Sequence, residues 1–106
     1  MDVYVQKSNL EGKKWKAQFV GDKKKTIHFG QAGALDYTTH KKSVRDARRE
    51  SYLARHGSME NWDKDGVMTP GWLSRWLLWE KPTMKEAMTK ASRKGGVKFH
   101  KGKPPA

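Results

Sequence analysis

Between Pro70 and Trp79 the chain carries Trp72, Leu73, Trp76, Leu77, Leu78 and Trp79, so large apolar side chains fall on nearly every face of a helix. A helix that is apolar all round has to be buried. This chain has only 106 residues with which to bury it. Everything else must therefore fold around that segment as one thin-cored domain, since a chain this short buries only ~60–65% of the surface it exposes when unfolded. Pro82 ends the helix and Thr69-Pro70 opens it, with Thr69 at the N-cap and Pro70 at N1, which predicts a helix over 70–81.

The first thirty residues read as strands. Val3-Tyr4-Val5 is β-branched and aromatic. Lys14 to Val20 alternates, with Trp15, Ala17 and Phe19 on one face and Lys14, Lys16 and Gln18 on the other. Ile27 and Phe29 share a face of a further strand, Lys25 to Phe29, reached through a turn at Gly21-Asp22. These residues predict a three-stranded antiparallel sheet within 2–30, whose apolar face the tryptophan helix covers. Trp15, Phe19, Ile27, Phe29, Trp76 and Leu77 are the expected core. A first helix is predicted from about Val44 to His56, with Ser43 as N-cap and Asp46 completing a capping box. A third, near 84–94, starts after Thr83 with Glu86 and carries Met84, Ala87, Met88 and Ala91 at i, i+3, i+4 and i+7.

The expected fold is therefore α+β: a small antiparallel sheet of about three strands, then three helices, then a basic C-terminal tail. The expected division is a single α+β domain over 1–94 and an extended tail over 95–106.

Charge narrows function more than fold. Lys and Arg number 23 against 11 Asp and Glu, a net charge of +12. Such an excess favours an anionic partner: nucleic acid, an anionic membrane face or an acidic protein surface. On a helical projection Arg45, Arg48, Arg49, Tyr52, Arg55 and His56 fall within ~120° of arc, at 100° per residue, with Asp46 and Glu50 opposite. Lys41 and Lys42 lie just upstream. A guanidinium stripe of this kind contacts phosphates or pairs with carboxylates. From Lys90 onward there is no acid, and Lys90, Arg93, Lys94, Lys98, Lys101 and Lys103 make a basic arm. Val97 and Phe99 are its large apolar residues. The arm reading makes Phe99 an anchor in a partner's pocket, with Lys98, Lys101 and Lys103 meeting carboxylates at the rim. It also expects the domain to keep its stability without residues 95–106. Trp62, alone in a polar loop, is either a lid on the core or an anchor for a partner.

Catalytic and metal chemistry find no local support. With no cysteine there is neither a thiolate nucleophile nor a thiolate zinc site, and no disulfide is available. Phosphate-cradle and nucleophile-elbow patterns are missing. His28, His40, His56 and His100 show no ligand spacing. Asp36, His40 and Glu60 are scattered acids and a base of the sort any basic protein carries. The expectation is a protein with no enzymatic activity, no cofactor, no catalytic residues and no metal. No apolar run approaches the ~20 residues of a membrane span or resembles a signal peptide, which predicts a soluble protein of a reducing compartment or a component of a particle assembled there.

Particular strings carry a resemblance. Ile27-His28-Phe29-Gly30, Asp36-Tyr37-Thr38-Thr39-His40, Tyr52-Leu53-Ala54-Arg55-His56, Glu60-Asn61-Trp62, Gly71-Trp72-Leu73-Ser74-Arg75-Trp76-Leu77-Leu78-Trp79 and Lys81-Pro82-Thr83 occur in that order. From about Lys14 to Glu86 the chain resembles a family of small basic proteins encoded by large double-stranded DNA viruses of algae and amoebae. It departs from the family pattern in having Trp rather than Phe at 72 and proline at 70, both compatible with a buried helix start. The resemblance implies a viral origin and a place in the virion, with no activity or catalytic residues to carry over. The reading that follows is a structural virion component, a minor capsid or core-associated protein that docks on larger viral structural proteins through the basic arm. It would be found in the virion, and in host cytoplasm or nucleus during assembly. The alternative is a basic protein that coats or condenses the genome, with DNA or RNA as its partner.

Overall fold

Alternation decides which face of each strand is buried. In a computed structural model that describes residues 1–105, β1 (Asp2–Lys7), β2 (Lys13–Val20) and β3 (Lys25–Gln31) form an antiparallel meander. Val3 and Val5, Ala17 and Phe19, and Ile27 and Phe29 are buried, and the residues between them are not. The three strands expected over 2–30 are thus present. Trp15, expected in the core, is only half-buried and packs against its margin.

The sheet has a fourth strand where a tail was expected. Residues Lys98–Lys101 form β4, which pairs in parallel with β1, Asp2 opposite Lys98 and Val5 opposite Lys101. The order is β3-β2-β1-β4, a mixed sheet. Period-2 burial is the physical reason: Phe99 turns inward while Lys98 and His100 turn outward. The Phe99 ring stacks on Trp72 at 6.0 Å and 15°, and its N–H donates to Ser92 Oγ at 3.0 Å. A parallel pair needs a long crossover, and here the crossover contains all three helices.

α1 spans Lys42–His56, α2 spans Pro70–Leu73, and α3 spans Met84–Gly95. The capping box expected at Ser43 and Asp46 does not form. Lys41 occupies the cap position with no side-chain cap, and the Asp46 carboxylate instead accepts from the Tyr37 hydroxyl at 2.6 Å. The other two caps are made by threonine: Thr69 Oγ1 accepts from Trp72 N–H and Thr83 Oγ1 from Glu86 N–H. α2 is shorter than the predicted helix over 70–81. It runs on as a π-helical segment, Ser74–Leu78. A π turn is uncommon and occurs mostly inside α-helices. This one leaves Arg75, Trp76, Leu77 and Leu78 all buried, with Trp79 buried just beyond.

Trp72, Leu73 and Leu77 are fully enclosed between the sheet and α3. Ala87, Met88 and Ala91 of α3 are buried as the stripe predicted, with Met84 half-buried. The close approach of α3 to the tryptophan depends on Gly95. A Cβ there would meet Val67 at 2.9 Å and the Trp72 indole at 3.0 Å.

Candidate nucleic-acid interface

α1 is polar over most of its surface, and few of its side chains hold it to the domain. Tyr52 is its buried residue. The ring stacks on Trp79 at 4.5 Å and 9°, with Trp62 6.2 Å away and His56 4.6 Å away. Burial pushes the Tyr52 hydroxyl up to about 12. Arg49 is the second tie: its Nε donates to the Trp79 carbonyl at 2.7 Å and its guanidinium bridges Glu80 at 2.7 Å.

These two ties decide what the rest of the helix can do. Lys41, Lys42, Arg48 and Arg55 are exposed. Among the described residues none of the four is paired with a carboxylate. Arg45 is half-buried and lies over the Tyr37 ring at 5.4 Å. Of the six cations expected on this stretch, Lys41, Lys42, Arg48 and Arg55 are exposed, Arg45 covers Tyr37, and Arg49 belongs to the scaffold.

That scaffold centres on Glu80. Its carboxylate receives Arg49, Arg75 at 2.8 Å and Lys90. Burial alone would raise its pKa, but the hydrogen bonds from Lys90, Arg75 and Arg49 outweigh it and hold the carboxyl at about 2. Arg75 is itself buried, 4.2 Å from the Trp76 ring centroid and 5.4 Å from that of Trp62. Three cations on one carboxylate tie α1, the π segment and α3 together. Sequence reasoning did not single out Glu80. The available signal was its position, an acid directly after the apolar helix in a stretch otherwise rich in cations.

The remaining expected binding residues separate. Trp62 is a lid: its ring stacks on Tyr52 and carries Arg75, and its carbonyl accepts from Trp76 Nε1 at 3.0 Å. Phe99 is inside the domain, and its ring is not available to a partner. Lys98 and Lys101 are exposed on β4, and Lys103 lies beyond it, also exposed. They stand at the far edge of the sheet and do not join the α1 cations.

A cleft of about 340 Å³ opens beside the end of α1, with Lys14, Asp36, Tyr52, Arg55, His56 and Glu60 in its walls. Its titratable groups form no relay. Asp36 is buried and already engaged by Lys14 at 2.9 Å and by Thr38. His56 Nδ1 is 4.0 Å from Glu60, beyond hydrogen-bond reach. His40 packs its ring on Trp79, His28 is bonded to Ser8, and His100 to Asp2. Among the described residues no three His, Asp or Glu are grouped to hold a metal, and no helix is long and apolar enough to cross a membrane.

Fold and surface together define a small basic α+β domain with an exposed cationic helix. Residues 3–56, from β1 to the last residue of α1, match the family described as "Family of unknown function (DUF5754)", and the chain belongs to that family. Comparison with curated proteins and with solved structures found no match.

Proposed function

We propose that this chain is a non-enzymatic nucleic-acid-binding protein and that α1 is the element it lays against the phosphates. The observation that carries the reading is the contrast along α1: Tyr52, Leu53, the bridged Arg49 and the Asp46 that accepts from Tyr37 fix the helix, while Lys41, Lys42, Arg48 and Arg55 are left exposed and unpaired. A cation kept for fold stability is paired or stacked, as Arg49 and Arg75 are. Cations held on a rigid element without partners are suited to releasing counterions from a polyanion. At ~1.5 Å per residue the helix is about 22 Å long, which spans several phosphates of a duplex. Contacts of this kind fix position and carry no sequence information.

In the setting implied by the sequence resemblance, a virion, such a protein coats or condenses the genome. Docking on a larger virion protein through residues 95–106 has less to stand on, because Phe99 is spent in the core. A minor capsid or core-associated role would instead use α1 against a partner's carboxylates. The test is fluorescence anisotropy with a labelled duplex at low salt. The reading expects binding by the native chain and a large loss in a variant with Lys41, Lys42, Arg48 and Arg55 all changed to Ala, Arg49 being left in place. Native protein that binds no duplex at low salt would end the duplex reading and leave the acidic protein partner.

A further inference from the structure

The sheet has two faces, and the helices cover one. Positions Asp2, Tyr4, Gln6, Lys16, Gln18, Thr26, His28, Lys98 and His100 alternate with the core residues and point away from the helices, and none of them is buried. Tyr4 lies opposite Gln18 on β2 and His100 on β4. The Tyr4 and His100 rings stack at 4.8 Å and 21°. β4 is the edge strand, so no further strand continues that stack beyond His100. Asp2 is the acid among these outward positions, and it is taken up by His100 at 2.8 Å. Lys16 and Lys98 flank the rings on the same face. At one corner Pro104 and Pro105 lie beside Gln18, Val20 and Thr26, brought there by the turn at Gly102, where φ is 107°.

We propose that this outward face binds single-stranded nucleic acid, with unpaired bases extending the Tyr4–His100 stack and phosphates meeting Lys16 and Lys98. A cross-strand ring pair by itself stabilises a sheet. Here it stands on a face that no helix covers, with Pro104 and Pro105 at one corner, and whose free charges are positive, the combination that single strands use: bases on aromatic faces and backbone on cations. A duplex keeps its bases stacked inside and cannot use it. The inference rests on the nucleic-acid reading above but on a different surface, so the two can fail separately.

The experiment measures anisotropy with a labelled 12-mer single strand and with its duplex, on the native chain and on Tyr4→Leu, His100→Ala and the four-fold α1 variant. Tyr4→Leu keeps an apolar group on the strand, and His100→Ala changes only the edge, so thermal melting shows whether each stays folded. Stacked bases contribute enough that single-strand affinity should fall about tenfold or more in Tyr4→Leu and in His100→Ala, with duplex affinity unchanged. The α1 variant should show the converse. Unchanged single-strand affinity in a folded His100→Ala or Tyr4→Leu protein overturns the proposal, as does native protein that binds the duplex and ignores the single strand. Native protein that binds neither overturns both readings.

Discussion

Single side chains divide into those that hold the fold and those left over for a partner, and the partners they already have decide which is which. Glu80 is the clearest holder. Its folded pKa, about 2, lies below the ordinary 4.5. A depressed carboxylate stabilises the native state fully above 4.5, and that contribution is lost as pH falls from there through about 2. Glu80→Gln should therefore melt lower than the native chain at pH 7, with the gap closing as the pH approaches 2. Parallel melting curves across that range would show that the cluster is not coupled to folding. Trp72 makes the opposite case. Its ring is fully enclosed, yet its Nε1 is buried with no hydrogen-bond partner. Changing it to Phe gives up contact area but removes an unsatisfied donor that costs ~1–3 kcal/mol. Trp72→Phe should stay within about 1 kcal/mol of the native stability, whereas Trp76→Ala should cost ~3–5 kcal/mol. Denaturant melts on the two variants separate these outcomes.

At the scale of elements, what was legible in the sequence was what local pattern encodes. The alternation Trp15-Ala17-Phe19 and Ile27-Phe29 placed two strands, and Thr69-Pro70 and Thr83 placed two helix starts, because each signal lies within a few residues of its consequence. β4 was not legible. It is four residues long, with Phe99 as its one buried side chain, it sits among lysines, glycines and prolines, and its pairing partner, β1, is almost the whole chain away. The π segment was missed for the related reason that periodicity distinguishes a buried helix from other helices poorly when every face is apolar. In the binding surface, the α1 cations were visible as a stripe, but sequence could not separate Arg49 from its neighbours, since its partner Glu80 is 31 residues on. The strand changes one expectation outright. An arm could be deleted without harm to the domain, but a strand that carries Phe99 into the core cannot. Removing residues 97–106 should lower the melting temperature well beyond the shift of a surface change, and Phe99→Ala alone should cost about 3 kcal/mol or more. A truncated chain that melts with the native one would restore the arm.

For the whole molecule, one division of labour accounts for the charge. The apolar helix and π segment, the sheet and α3 make the core, and Glu80 gathers the cations that the core needs near it. Part of the remaining positive charge is displayed on α1 and on the outward face and edge of the sheet, and part on the β2–β3 turn (Lys23, Lys24) and on α3 (Lys85, Arg93, Lys94). The matched family segment, 3–56, contains α1 and β1–β3 but not the tryptophan helix that supports them. The cationic display on α1 and Tyr4 of the outward face lie within that segment, and His100 lies outside it. The central claim is that the unpaired cations of α1 neutralise phosphates. The measurement that tests it most directly is the dependence of duplex affinity on salt, taken as the log–log slope. Each phosphate neutralised contributes about −0.9, so engagement of Lys41, Lys42, Arg48 and Arg55 accounts for about −3.6 of the native slope. The account predicts that changing those four to Ala, with Arg49 and the fold intact, shallows the slope by about that amount. A slope unchanged by the four substitutions in a folded protein would contradict it.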